Sequence, residues 1–261
     1  MSTTKSTVLV KHHLKSPKLP TMSQECDEVT SQPAVENLDR LAYRQRPCEL
    51  ELIERACRAA EQRLKAARFP HTKILNEFDF SQQPSINKLL VLELAKGQYI
   101  DARENVLLIG SSGVGKTHLA IALGMAACGQ GRKMRFFRMT ELITLLLEAR
   151  EEKQLLRFRK QLKQLDILIP DEPASADWEG EGRLLFDVLS TAYERHSLVV
   201  TTNLPFEQWT EVFGSERLTG AALDRLTHRC HILKRRARAS ASETLAGSSG
   251  GRLAHPDLAL E

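Results

Sequence analysis

A glycine-rich segment carries the clearest chemical signal in the sequence. It reads Gly110-Ser-Ser-Gly-Val-Gly-Lys-Thr117, follows an apolar run over Val106–Ile109 and opens an amphipathic stretch over His118–Ala127. This spacing between a strand and a helix is typical of a phosphate-binding loop, in which backbone N–H groups and the helix N-terminus face the phosphates. A glycine turn without a ligand is the alternative. We predict that the residues that bind the nucleotide are Gly110, Ser111, Ser112, Gly113, Val114, Gly115, Lys116 and Thr117.

A second segment, Asp166-Ile-Leu-Ile-Pro-Asp-Glu172, supplies acids at the end of an apolar run. Nucleotide hydrolysis requires a metal ion and a group that activates the attacking water. We expect Thr117 and Asp171 to hold Mg²⁺, Lys116 to neutralise the phosphates and Glu172 to act as the base. A solvated turn is the alternative for the two acids. The expected cofactors are ATP and Mg²⁺, and the chain is predicted to be an ATPase.

Two further residues bear on this site. Asn203 ends the apolar run Leu198-Val-Val-Thr-Thr-Asn203, where its amide would lie beside the γ-phosphate and orient water. Taken alone, Asn203 is more often an ordinary turn residue. Pro170 has no N–H for a sheet hydrogen bond, and we expect that loss either to be tolerated at the strand end or to displace Asp171 and slow hydrolysis.

Five short apolar runs are separated by helical stretches, which predicts an α/β fold with a parallel five-stranded sheet flanked by helices. The predicted strands are Val106–Ile109, Arg135–Arg138, Asp166–Ile169, Leu198–Thr202 and His231–Leu233.

The composition shifts along the chain predict four parts. These are a flexible leader over residues 1–35, a small helical N-terminal domain over 36–70, the ATP-binding domain over 71–238 and a disordered tail over 239–261. Pro47 should break the N-terminal helical region into two helices. The polar stretch Phe78–Pro84 is expected to be a linker.

The bulk composition indicates a soluble protein. The chain is 42% hydrophobic and 27% charged, and its five cysteines are scattered. We find no apolar run of membrane-spanning length and no signal peptide. The chain is therefore expected to be cytoplasmic, without a membrane partner. A net charge of +4 does not by itself indicate a nucleic-acid partner.

Several motifs together resemble the IstB-like family, the ATP-binding partners of insertion-sequence transposases, which are similar to bacterial helicase loaders. Besides the phosphate loop, the resemblance rests on Arg63–Pro70, Phe78–Phe80, Glu104–Leu108, Thr201–Phe206, Trp209, Val212–Gly214 and Leu223–Leu226. It runs from about Leu38 to Ile232. The resemblance implies an AAA+ fold, a homo-oligomer that assembles on DNA, and a cognate transposase as partner. It also implies that Arg225 reaches the γ-phosphate held by a neighbouring subunit. The alternative interpretation, from the residues alone, is that Arg225 forms a surface salt bridge.

Two basic stretches are candidates for contact with DNA. One spans Arg55–Arg68, and the other spans Arg150–Lys163 with six cations, namely Arg150, Lys153, Arg157, Arg159, Lys160 and Lys163. Both are compatible with a plain solvated surface. We favour the second for largely sequence-independent phosphate contacts, and the first as a clamp or a transposase contact.

Two other functions remain open from the sequence. One is an adaptor that loads a replicative helicase, and the other is a degenerate remnant that binds ATP without switching. The C-terminal segment bears on the remnant hypothesis. Residues Ala237–Ser242 read Ala-Arg-Ala-Ser-Ala-Ser, which is what codons for the family-like Gly-Glu-Ser-Phe-Arg-Phe give when they are read one nucleotide later. We therefore predict that the reading frame is shifted near Arg235 and restored near Glu243. Such a shift would remove the C-terminal arginines with which the family is expected to sense the nucleotide.

Overall fold

The described part of the chain is built around one parallel sheet of five strands. In the computed structural model, residues 40–235 are described except 84, 172–181 and 194, and for 40–47 and 235 the backbone alone is described. The strands are β1 (Asn105–Gly110), β2 (Met134–Arg138), β3 (Ile167–Asp171), β4 (Ser197–Thr202) and β5 (Cys230–Arg235), in the order β2-β3-β4-β1-β5. Each predicted strand overlaps an observed one, so the predicted parallel sheet is confirmed.

Helices cover both faces of this sheet. They are α1 (Arg40–Ala67), α2 (Lys88–Leu94), α3 (Gln98–Asp101), α4 (Lys116–Gly129), α5 (Met139–Glu151), α6 (Leu155–Leu162), α7 (Gly182–Ala192), α8 (Trp209–Phe213) and α9 (Glu216–Thr227). Val106 and Leu108 of β1 pack in one core cluster with residues of α2 and α4, while Leu107 packs in another with residues of α5 to α9. Burial on both faces explains why the strands are continuously apolar.

Helix α4, which follows the phosphate loop, lies very close to the sheet. A Cβ atom on Gly124 would come within 2.8 Å of the Met134 sulfur and 2.9 Å of the Ile169 Cδ1 atom. Only glycine allows this approach without displacement of those side chains. The sheet therefore fixes the position of α4, and with it the loop at its N-terminus.

Helix α1 is continuous through Pro47, so the predicted break into two helices is wrong. A proline removes one backbone donor from the helix, and here the helix continues despite that loss. Its C-terminal end packs on the core beside the sheet, where Ala67 is fully buried. There, Arg63 Nε donates to the carbonyl oxygen of Cys128 at 3.0 Å.

The stretch predicted to be a linker packs against the core. Phe78 and Phe80 lie against buried core residues, and the Phe78 ring meets the His118 ring edge-on at 5.2 Å between centroids. His118 Nε2 also lies 3.2 Å from the carbonyl oxygen of Ile74. These contacts attach the chain around Ile74 and Phe78 to the first turn of α4.

Candidate functional site

The candidate site lies where the carboxyl ends of three neighbouring strands meet. Gly110 ends β1, Asp171 ends β3, and Asn203 directly follows β4. In open parallel sheets, ligands bind in the crevice at this edge, where the strand order reverses. The chain leaves β1 in the interior of the sheet and re-enters at β2, the edge strand. The predicted loop and the predicted acid are therefore on adjacent parts of one crevice.

The phosphate loop has the backbone geometry that its sequence predicts. Gly113 and Gly115 have φ angles of +77° and +84°, in the left-handed region that glycine adopts at little cost. Val114 is buried between them, whereas Ser111, Ser112 and Gly113 are exposed. One apolar side chain therefore anchors the loop.

Lys116 lies within the loop. Its ammonium donates to the carbonyl oxygens of Gly110 at 2.7 Å and Ser111 at 2.9 Å, and the residue is buried. A buried cation needs polar partners, and these two carbonyls supply them. The arrangement holds a positive charge at the place where the loop would receive phosphates.

Thr117 and Asp171, the two residues predicted to hold Mg²⁺, meet across the crevice. Thr117 Oγ1 lies 2.9 and 3.1 Å from the two carboxylate oxygens of Asp171, and Asp171 is buried. Hydroxyl and carboxylate oxygens are the ligand types that Mg²⁺ prefers, and Mg²⁺ is usually held by one or two protein groups together with phosphates. Among the residues that the structure describes, no group of three or more His, Cys, Asp or Glu side chains could hold a metal alone. The donor set therefore fits a nucleotide-bound Mg²⁺.

Thr201 completes this cluster and was missed by the sequence reasoning. Its hydroxyl donates to Asp171 Oδ1 at 2.7 Å, and the residue is almost fully buried in β4. The available signal was a pair of hydroxyl residues, Thr201 and Thr202, at the end of a buried strand. Its partner, however, depends on which strand lies beside β4, and the sequence does not state this.

The other predicted site residues are not all in contact. Asn203 is exposed at the end of β4. Glu172 lies outside the described residues. Arg225 belongs to α9, and its guanidinium packs against α7. There it donates to Ser190 Oγ at 2.9 Å and lies over the Phe186 ring at 4.6 Å. The site of this chain thus unites the loop, Asp171 and Thr201, and Arg225 packs on another element.

The family of the chain follows from comparison with known proteins. The profile of the family described as "IstB-like ATP binding protein" matches residues 12–241. The chain belongs to this family. It is 38% identical over 215 residues to the IS21 insertion-sequence ATP-binding protein of Pseudomonas aeruginosa, covering 81% of this chain and 80% of that one. It is 32% identical over 211 residues to the IS5376 ATP-binding protein of Geobacillus stearothermophilus, covering 80% and 84%.

Solved structures show the same fold for this IstB-like chain. A crystal structure of DnaI superposes with a TM-score of 0.52 at 16% identity, covering 62% of this chain and 90% of that chain. Replication initiator DnaA bound to AMPPCP and single-stranded DNA superposes with a TM-score of 0.51 at 20% identity, covering 65% and 51%. These likenesses confirm the predicted AAA+ P-loop fold.

The family match is longer than the resemblance predicted from motifs. It starts before Leu38 and continues past Ile232 to residue 241. The family match therefore includes residues 237–241, which form most of the segment on which the frameshift hypothesis was based. Residues 236–261 lie outside the described part of the chain, so the hypothesis stays a prediction.

Within the described ranges, no helix combines the length and the apolar character needed to cross a membrane.

Proposed function

We propose that this IstB-like chain binds and hydrolyses Mg²⁺-ATP and, as a homo-oligomer on DNA, assists the transposase of an insertion sequence. The observation that carries the proposal is the contact between Thr117 and Asp171 beside the Lys116 ammonium. It occurs in a chain whose most similar relatives include insertion-sequence ATP-binding proteins.

Each group in the crevice has a separate task in the proposed reaction. The loop amides and Lys116 bind the phosphates and offset their charge. Thr117 and Asp171 would hold Mg²⁺, which stabilises charge on the transferred phosphoryl group. Glu172 removes a proton from the attacking water, and Asn203 orients that water at the end of β4. Catalysis of this kind depends on the positions of charged groups more than on covalent chemistry.

Arg225 is proposed to act on the nucleotide of a neighbouring copy. Its side chain lies at a half-buried position on α9, where Ser190 and Phe186 hold it. An arginine supplied from outside stabilises the charge of the transition state. In this arrangement hydrolysis requires assembly, because one chain alone has an incomplete site.

The surface around α6 is the proposed contact with DNA phosphates. Lys153, Arg157, Lys160 and Lys163 are all exposed there. Arg159 is different, because it is ion-paired with Asp187 on α7 at 2.7 Å. We therefore define the DNA-binding surface by the first four residues, without Arg159.

The basic stretch Arg55–Arg68 has fewer cations available for DNA than the surface around α6. Arg55 is ion-paired with Glu51 at 3.1 Å, Arg58 with Glu54 at 3.4 Å, and Arg63 is bonded to the Cys128 carbonyl. Lys65 is exposed on the same helix. This difference favours the surface around α6 for DNA and leaves α1 for a protein partner.

An adaptor that loads a replicative helicase is the alternative function. The likeness to DnaI, at 16% identity, concerns the fold alone and does not decide between the two functions. The relatives of 30% identity or more support the transposition function instead.

The proposal can be tested with labelled random-sequence duplex DNA and the purified chain. We expect DNA binding and oligomerisation to increase with Mg²⁺-ATP over ADP, and the Lys116→Ala variant to lose this increase. A tagged chain should then retain its cognate transposase, and not the replicative helicase. Retention of the helicase alone would favour the adaptor function, and a nucleotide-independent chain would favour the remnant.

A further inference from the structure

We infer that the Thr201 hydroxyl positions Asp171 for metal binding by linking β3 to β4 where Pro170 interrupts their backbone pairing. This inference rests on the proposed ATPase function. Thr201 does not itself reach the metal or the nucleotide in this assignment. It acts through Asp171 and is a positioning residue.

The backbone pairing of β3 is unequal on its two sides. With β2, the paired register runs through Pro170 to Asp171, which lies opposite Arg138. With β4, among the described residues, the paired register covers Ile167 opposite Ser197 and Leu168 opposite Leu198. Because Pro170 has no N–H, one ladder hydrogen bond is lost. Since pairing persists on the β2 side, we assign the loss to the β4 side.

A side-chain hydrogen bond crosses the same gap. If the register of β3 and β4 is continued from Leu168, Asp171 falls opposite Thr201. Side chains at such opposite positions share one face of the sheet. The Thr201 hydroxyl donates to Asp171 Oδ1 at 2.7 Å. It therefore connects the two strand ends three residues beyond Leu168, the last position of β3 that is paired with β4, and one residue after Pro170.

This hydrogen bond has the chemistry of a strong positional restraint. An ionised carboxylate only accepts hydrogen bonds, and a bond to a charged group is shorter and stronger than one between neutral groups. Both residues are buried, so water cannot easily replace the donor. Holding Oδ1 restricts rotation of the carboxylate, which fixes the directions from which Asp171 can accept a metal-bound water.

The test compares Thr201→Val with Thr201→Ser. Valine keeps the shape and loses the donor, whereas serine keeps the donor and loses a methyl group. We expect Thr201→Val to lower kcat about tenfold or more, the size expected for a lost hydrogen bond to a charged group, and to raise the Mg²⁺ concentration that gives half-maximal activity. Thr201→Ser should keep both kcat and the half-maximal Mg²⁺ concentration close to those of the natural chain. ATP affinity in EDTA should not change, because the phosphate loop is intact.

Two further variants separate positioning from general destabilisation. Ser197→Ala removes a buried hydroxyl at the other end of β4, which bonds to the Tyr99 carbonyl at 3.3 Å, and it should leave the Mg²⁺ dependence unchanged. Pro170→Val restores the backbone N–H. In that background Thr201→Val should cost clearly less activity than in the natural chain, because the strand ends are again paired.

The outcomes decide the inference. Normal Mg²⁺ dependence in Thr201→Val, equal defects in the valine and serine variants, or the same defect with and without Pro170 would each overturn it. If the natural chain does not hydrolyse ATP, the proposed ATPase function fails instead. The Mg²⁺-induced gain in ATP affinity then tests Thr201: a smaller gain in Thr201→Val supports the inference, and an equal gain overturns it.

Discussion

Neutralisation of the DNA-binding surface should change how DNA affinity responds to salt. The perturbation is the fourfold variant Lys153→Gln, Arg157→Gln, Lys160→Gln and Lys163→Gln. All four side chains are exposed, so the change removes charge without opening the core. The matched control is Arg159→Gln, which removes a cation from the same helix that is already paired with Asp187.

The size of the effect follows from counterion release. Each phosphate contact contributes about 0.9 to the slope of log affinity against log salt concentration. If all four residues contact phosphates, the slope of the variant should be less steep by about 3.6. Between about 50 and 200 mM salt, the natural chain should then lose roughly 150-fold more affinity than the variant. The Arg159→Gln slope should match that of the natural chain.

Fluorescence anisotropy of a labelled duplex, titrated at several salt concentrations with Mg²⁺-ATP present, measures this slope. Circular dichroism verifies that each variant is folded. An unaltered slope in the fourfold variant would refute the assignment of the surface around α6. A reduced slope in Lys65→Gln, which lies on the exposed side of α1, would then move the DNA contact to the N-terminal helix.

Four other variants test the site and the core. Lys116→Ala should abolish ATP binding in a filter assay, while Lys96→Ala on the surface should not; retained binding would contradict the role of the loop. Glu172→Gln should bind ATP but stop hydrolysis and prolong DNA complexes, and continued turnover would place the base elsewhere. Arg225→Ala should bind ATP yet lose hydrolysis in the assembled state, with Arg217→Ala as control; full activity would exclude a role across subunits. Burial, and then the nearby Arg195, lower the pKa of His196, so the unfolded state takes up a proton more readily than the folded state. The neutral His196 side chain therefore makes its full contribution to the free energy of unfolding above about pH 6.5, and this contribution is lost as the pH falls. The His196→Gln variant should show a smaller pH dependence in urea unfolding.

The sheet and the loop were predictable because their signals are local. Apolar runs such as Val106–Ile109 and a glycine-lysine-threonine spacing specify a strand and a phosphate loop within a few residues of sequence. Pro47 shows the limit of such reasoning. A proline inside a helix loses one hydrogen bond, but the rest of a 28-residue helix can offset that loss, so the predicted break was wrong.

The contacts of single polar residues were not predictable, because they depend on which elements become neighbours. Arg159 was counted with the cations of α6, but α7 brings Asp187 against it. Thr201 was read as part of an apolar strand, but the strand order places β4 next to β3 and so next to Asp171. In both cases the decisive partner is about thirty residues distant in sequence and comes close only through the topology.

The packing of α1 on α4 also limits how this protein can be divided for experiments. Ala67 is fully buried in the same core cluster as Leu119 and Ala127 of the loop helix, and Arg63 caps a carbonyl near the end of that helix. A truncated chain that starts at the expected boundary of residue 71 would expose this apolar surface to water and leave the Cys128 carbonyl without that donor. A nucleotide-binding fragment should therefore begin upstream of the turn of α1 that contains Arg63. A fragment that begins later would lose the packing of α1 on α4, so a change in its nucleotide binding could not be separated from loss of this support.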